Sequence, residues 1–153
     1  MPSKDPYIRA LHWLGYRDYS RAQMTERLRR SGYDPGLADD TVDRLVREGW
    51  IDDTRLAYRV IEHCVQSQTM GPALIRHQLV SKGLPSEVYE PVLEQRVSDI
   101  DWLKIAEALR ERYDMNEPKG RRRFGRYLIR RGFPVALAWK LAGWADQGTE
   151  GEQ

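Results

Sequence analysis

The sequence predicts an all-α fold: three tandem three-helix repeats, about nine helices, in an elongated, curved arrangement. Three observations carry that prediction. A Leu-x-x-x-Gly pentapeptide occurs as Leu28–Gly32, Leu79–Gly83 and Leu128–Gly132, a period of roughly fifty residues at the upper edge of the helical-repeat range. Apolar residues recur at helical spacing over long stretches of the chain. The alternating apolar–polar pattern of a half-buried strand is absent.

The first repeat, residues 1–50, opens on Asp5 as a helix cap, Pro6 in the first turn, and the stripe Tyr7, Ala10, Leu11 and Leu14. Ser20 is the cap of the next helix, with Gln23 in the capping-box position, and Leu28–Gly32 closes it. A glycine after a buried leucine supplies the left-handed conformation that ends a helix. Tyr33 and Pro35 then lead into a helix over Leu37–Glu48. The second repeat, 51–97, has Asp53 as cap and Leu56, Ala57, Val60, Ile61 and Cys64 as its stripe. Gly71 and Pro72 start the helix that ends at Gly83, and a helix over Ser86–Val97 completes the repeat. The third repeat, 98–146, is capped by Ser98 or Asp99 and carries Trp102, Ile105, Ala106, Leu109 and Tyr113. Gly120, eight positions before Leu128 as Ser20 and Gly71 are before their leucines, is the expected cap of its second helix. Val135 to Trp144 forms the last one, and residues 147–153 are expected to be a disordered tail. Trp102 and Trp139 are read as core; periodicity does not place Trp13 or Trp50.

Composition sets the class. Hydrophobic residues make up 41% and charged residues 31% of 153, an ordinary globular balance. There is no apolar run long enough to cross a bilayer and no apolar secretory segment at the N-terminus, so the cytoplasm is the expected compartment. The single cysteine, Cys64, cannot form an internal disulfide. Adjacent helical positions point about 100° apart, so His63 and Cys64 do not make a metal pair. The sequence contains no Cys-x-x-Cys, His-Glu-x-x-His or phosphate-binding glycine loop. Asp52 and Asp53 are better explained as helix capping than as metal ligands. The expectation is a protein with no catalytic residues, no cofactor and no metal.

Charge is unevenly spread, although the net value is only +2. Asp34 to Asp53 holds seven acids against two bases, while Lys119 to Lys140 holds eight bases and no acid. On a helical wheel Arg122, Arg123, Arg126 and Arg130 fall within an arc of roughly 100°, with Phe124, Tyr127 and Leu128 facing the other way. Like charges at i,i+4 with no acid to offset them cost a few tenths of a kcal/mol each. A face of one sign therefore points to an anionic partner, with Arg76, Lys82 and Arg131 as secondary contacts. Such a face suits a nucleic-acid backbone or an acidic protein groove rather than base-specific readout.

The stretches Gly49-Trp-Ile-Asp-Asp-Thr-Arg-Leu-Ala57 and Gly71-Pro-Ala-Leu-Ile-Arg-His-Gln-Leu-Val-Ser-Lys-Gly-Leu84 resemble the RecX family. So do Asp99-Ile-Asp-Trp102 and the arginine-rich helix that ends Arg-Arg-Gly-Phe133, and the resemblance covers about Pro6 to Trp144. It implies three tandem three-helix units and a modulator that docks in the groove of the RecA–DNA filament. Such a modulator inhibits strand exchange, ATP hydrolysis and co-protease activity, and so bears on DNA repair and the SOS response. The chain departs from the family at Leu56, commonly phenylalanine, and in the nearly uncharged stretch His63 to Met70, which shifts the expected contact toward the third repeat. A monomer with RecA and non-specific DNA as partners is expected. The competing expectation is a helical DNA-binding protein acting through the same basic face without RecA; a third is a helical-repeat adaptor for another protein.

Overall fold

In the computed structural model, which describes residues 4–143, Asp5 starts the first helix by accepting the Tyr7 amide at 3.0 Å. Helix α1 (Pro6–Leu14) has its proline in the first turn, where no amide is needed. Ser20 opens α2 (Arg21–Arg30) with a complete capping box, the Gln23 and Ser20 amides each bonded at 3.1 Å to the other residue's side chain. Asp34 caps α3 (Pro35–Arg47) by accepting the Gly36 and Leu37 amides, so this helix begins at Pro35 rather than Leu37. The remaining helices are α4 (Asp53–Ser67), α5 (Pro72–Ser81), α6 (Ser86–Val97), α7 (Trp102–Ala108), α8 (Pro118–Arg130) and α9 (Val135–Ala142). A 3₁₀ turn over Leu109–Arg112 extends α7. The described residues contain nine α-helices and no strand. Trp144 and the tail expected over 147–153 lie outside them.

Three caps differ from expectation. Asp53 is the first residue of α4, and Asp52 accepts the Arg55 amide at 3.1 Å. Asp53 instead accepts the Arg21 amide at 2.9 Å, adding a second acceptor at the start of α2. Helix α7 is capped by Asp101, whose carboxylate takes the Lys104 amide at 3.1 Å, not by Ser98 or Asp99. Helix α8 begins after Glu117, ahead of Gly120, because Pro118 is preset for a first helical turn. Gly120 lies inside that helix, where a β-carbon would stand 1.8 Å from the Asp114 carbonyl oxygen.

The three Leu-x-x-x-Gly segments all close their helices in the same way. Gly32, Gly83 and Gly132 have φ of 94°, 75° and 85°. The amide of the following residue reaches back to the motif leucine: Tyr33 to Leu28 at 3.3 Å, Leu84 to Leu79 at 3.3 Å, Phe133 to Leu128 at 3.0 Å. This is the six-to-one bond of a Schellman turn, and it satisfies a carbonyl that the helix end would leave without a partner. The leucines themselves are fully buried.

Contacts divide the chain into two compact units, residues 1–60 with 79–95, and residues 61–78 with 96–153. In the first, α1, α2 and α3 pack around Ala10, Trp13, Met24, Leu28, Val42 and Leu45. In the second, α7, α8 and α9 enclose Ala106, Leu109, Phe124, Leu128, Phe133 and Leu141. Trp102 is half-buried against that core, edge-on to Phe133 with ring centroids 6.4 Å apart. Trp139, expected in the core, is 48% exposed. Helix α9 reads Val-Ala-Leu-Ala-Trp-Lys-Leu-Ala, apolar nearly all round, so its periodicity could not tell which side faces inward.

The same contact recurs once in each unit. In the first, the Ser20 hydroxyl donates to the Lys82 carbonyl at 2.6 Å, and a β-carbon on Gly83 would come within 3.0 Å of Ala22 Cβ. In the second, the Gly71 amide donates to the Arg131 carbonyl at 2.7 Å and the Ala73 amide to the Gly132 carbonyl at 3.1 Å. A β-carbon on Gly132 would stand 2.2 Å from the Leu74 nitrogen. Each time, a Schellman turn sits on the start of a helix whose own motif lies one repeat earlier. The remaining turn, at Gly32, would have nothing within 4 Å of an added β-carbon.

Candidate cationic interface on helix α8

Helix α8 separates its residues by chemistry. Phe124, Gly125 and Leu128 are buried, and Tyr127 and Tyr113 pack beside them with ring centroids 5.7 Å apart. On the other side Arg122, Arg123, Arg126 and Arg130 are all exposed. Among the described residues none of these four meets a carboxylate within 4.0 Å. Arg123 borders an open cleft with Arg112, Lys119, Asp114 and Glu117. Proline at the first turn and the Schellman turn at Gly132 set both ends of the helix, and the aromatic face sets its rotation.

Arginines at the two ends of the row are used differently. The Arg121 guanidinium donates to the Met115 carbonyl at 3.1 Å and to the Asn116 carbonyl at 3.4 Å, tying the preceding loop to the helix. Arg131 turns back toward Thr69, donating from Nε to its carbonyl at 2.8 Å and from Nη2 to its hydroxyl at 3.0 Å. Half-buried there, it lies outside the exposed row. Its charge acts on the Cys64 thiol, whose pKa burial raises and Arg131 partly brings back down. Arg76 is exposed on α5 in the same unit. Lys82 is half-buried in the other unit, where its carbonyl receives the Ser20 hydroxyl.

Several charges elsewhere are paired. In the acidic stretch Asp43 meets Arg21, and Asp39 meets Arg29 at 3.2 Å. Glu62 receives Arg96 Nε at 2.8 Å, and that hydrogen bond, first among its causes, holds the Glu62 carboxyl below the ordinary value. The Tyr7 hydroxyl donates to Glu48, which Arg44 also contacts at 3.0 Å. Those two hydrogen bonds, the Tyr7 one first, lower the Glu48 pKa, and the same bond raises that of Tyr7. Exposed pairs of this kind stabilise little. They do, however, remove those charges from the count of groups open to a partner. His63 is exposed beside the buried Cys64, on a different side of α4.

Fold and site together define an all-helical repeat protein with a one-sided cationic helix. The family model described as "RecX, first three-helix domain" matches residues 7–45. The "Regulatory protein RecX" of Halorhodospira halophila is 33% identical over 145 residues, 92% of this chain and 88% of its own length. That of Xanthomonas axonopodis pv. citri is 37% identical over 132 residues, 84% of this chain and 80% of its own. The crystal structure of RecX from Lactobacillus salivarius has the same fold, with a TM-score of 0.76 at 18% identity over 93% of this chain and 95% of that one. The chain belongs to the RecX family of regulatory proteins. Among the described residues no helix is long and apolar enough to cross a membrane.

Proposed function

We propose that this chain is a negative regulator of RecA that docks on the RecA–DNA filament through the exposed row Arg122, Arg123, Arg126 and Arg130, and so restrains recombination, ATP hydrolysis and co-protease activity. One observation supports the assignment to this helix: four cations share one exposed face and have no carboxylate partner among the described residues. Leaving such a face unpaired costs helix stability through like-charge repulsion, and an anionic partner removes that cost. Arg76 is the secondary contact from the same unit. Arg131 acts through its hold on Thr69, and Lys82 is a secondary contact within its own unit. In this reading the protein works as a cytoplasmic monomer, and 1–50, 51–97 and 98–146 are its repeats, with no catalytic step of its own.

The test is RecA ATP hydrolysis on single-stranded DNA while the protein is titrated in. Wild type lowers the rate. Exchange of all four arginines for alanine raises the concentration needed by about ten-fold or more, since each lost phosphate or carboxylate contact weakens binding. An unchanged inhibitory concentration in a folded variant overturns the site. A duplex titration at two salt concentrations, with and without RecA, covers the competing reading. Tight binding to naked duplex, with log K falling by about 0.9 per phosphate contact and no effect of RecA, would make this a DNA-binding protein acting by itself.

A further inference from the structure

The arginines of the first unit keep different company, and Arg44, beside both Glu48 and the Tyr7 ring, keeps two kinds. Arg21, Arg29, Arg30, Arg44 and Arg59 each meet a carboxylate within 4.0 Å. Arg9, Arg17 and Arg27 meet none among the described residues and lie against aromatic rings instead. The Arg27 guanidinium carbon is 4.1 Å from the Trp13 ring centroid, and that of Arg17 is 3.9 Å from the Tyr19 centroid. Arg27 also donates to the Tyr19 hydroxyl. A guanidinium lying over a ring is restricted in its rotamers before any anion arrives, and its remaining N–H groups stay available as donors.

Arg17 and Arg27 border an open cleft of about 470 Å³ with His12, Trp13, Tyr16 and Tyr19, at the junction of α1 and α2. That volume is within the range of small-molecule sites. Tyr16 is 78% exposed and meets the His12 ring edge-on at 5.3 Å. A second cleft of about 490 Å³ shares Arg17, Tyr19 and Arg27. Its one carboxylate, Glu26, is taken up by Arg30 at 2.8 Å. The junction thus presents an exposed aromatic ring beside two guanidinium groups held over rings, and the one acid that lines it is already paired. A planar base joined to a phosphate matches both features at once, through stacking and charge-assisted hydrogen bonds.

We propose that the α1–α2 cleft binds one nucleotide, its base against Tyr16 and His12 and its phosphate at the edges of Arg17 and Arg27. The site is distinct from the α8 row and does not rest on the regulatory reading of it. Its nucleotide comes either free, as a nucleoside triphosphate, or as one residue of a single strand.

The experiment follows backbone amide and arginine Nε NMR signals of the full chain during parallel titrations with ATP, inorganic tripolyphosphate and a ten-residue oligothymidylate. The expected result is a shift of the Tyr16, Arg17 and Arg27 signals with ATP or with the oligonucleotide. Tyr16→Ala and Arg17→Gln, both at exposed positions, each weaken that binding about five-fold or more. The four-alanine α8 variant keeps the cleft shifts. Shifts with ATP identify a free nucleotide as the ligand, and shifts with the oligonucleotide alone identify a strand. Shifts as large with tripolyphosphate as with ATP, shifts confined to α8, or none at all would overturn the proposal.

Discussion

Gly32 and Gly132 hold equivalent places in the repeat and nearly the same backbone, with φ of 94° and 85°, yet differ in what surrounds them. An alanine at Gly32 meets only the left-handed strain, about 1 kcal/mol. At Gly132 its β-carbon would also fall 2.2 Å from the Leu74 nitrogen. The second substitution must then push two backbones apart, and a loss of about 3 kcal/mol or more is expected. Thermal unfolding followed by circular dichroism compares the two directly, at about 2–4 °C per kcal/mol for a chain of this size. Equal shifts would mean that the close approach stabilises nothing. Residue-scale roles also mark where the sequence stopped being informative. Arg130 and Arg131 are neighbours of identical chemistry, and only Thr69, sixty-two positions away, separates the exposed one from the half-buried one.

At the scale of elements, the helix starts and stops that were legible were those set by local chemistry. The Ser20 box and the three glycine turns depend on residues within a few positions, and all appear as expected. The spacing of Gly120 matches the repeat but does not set a helix start, because Pro118 starts the helix two residues ahead of it. The one-sided row on α8 was legible because Phe124 and Leu128 anchor the wheel; α9 has no polar face to do the same, so its pattern does not show that Trp139 faces outward. The arginine–aromatic stacking at the α1–α2 junction was not legible at all, since Arg27 and Trp13 belong to different helices. Ser20 has two roles, as cap to α2 and as donor to the Lys82 carbonyl. Ser20→Ala should lose about 1–2 kcal/mol in denaturant unfolding. Ser20→Asp, which keeps the cap but places an acceptor against that carbonyl, should recover no more than part of it. Full recovery would assign the whole effect to the cap.

For the molecule as a whole, a small part of the acid stability comes from two carboxylates held below their ordinary pKa of 4.5, Glu62 by Arg96 and Glu48 by Tyr7 and then Arg44. A group whose folded pKa is depressed stabilises the fold above its unfolded value and stops doing so as the pH falls through the folded one. Melting temperature should therefore stay level from neutrality to about pH 5 and decline below that. Glu62→Gln should make the decline shallower without steepening it near neutrality. A decline just as steep in the variant would exclude that pair as a source. The contact units also explain why the repeats do not stand apart. Their boundaries fall inside α4, α5 and α6, because each Schellman turn after the first packs on the start of a helix from the preceding repeat.

That arrangement gives the array a direction of growth. On α8 the place that would receive a further turn is already filled by the chain's own Asp114 carbonyl, 1.8 Å from where a Gly120 β-carbon would sit. The Gly32 turn, at the opposite end of the series, has open space around it. A designer wishing to lengthen this scaffold would find a foothold by grafting a module ahead of α1, and an obstruction by appending one after α9.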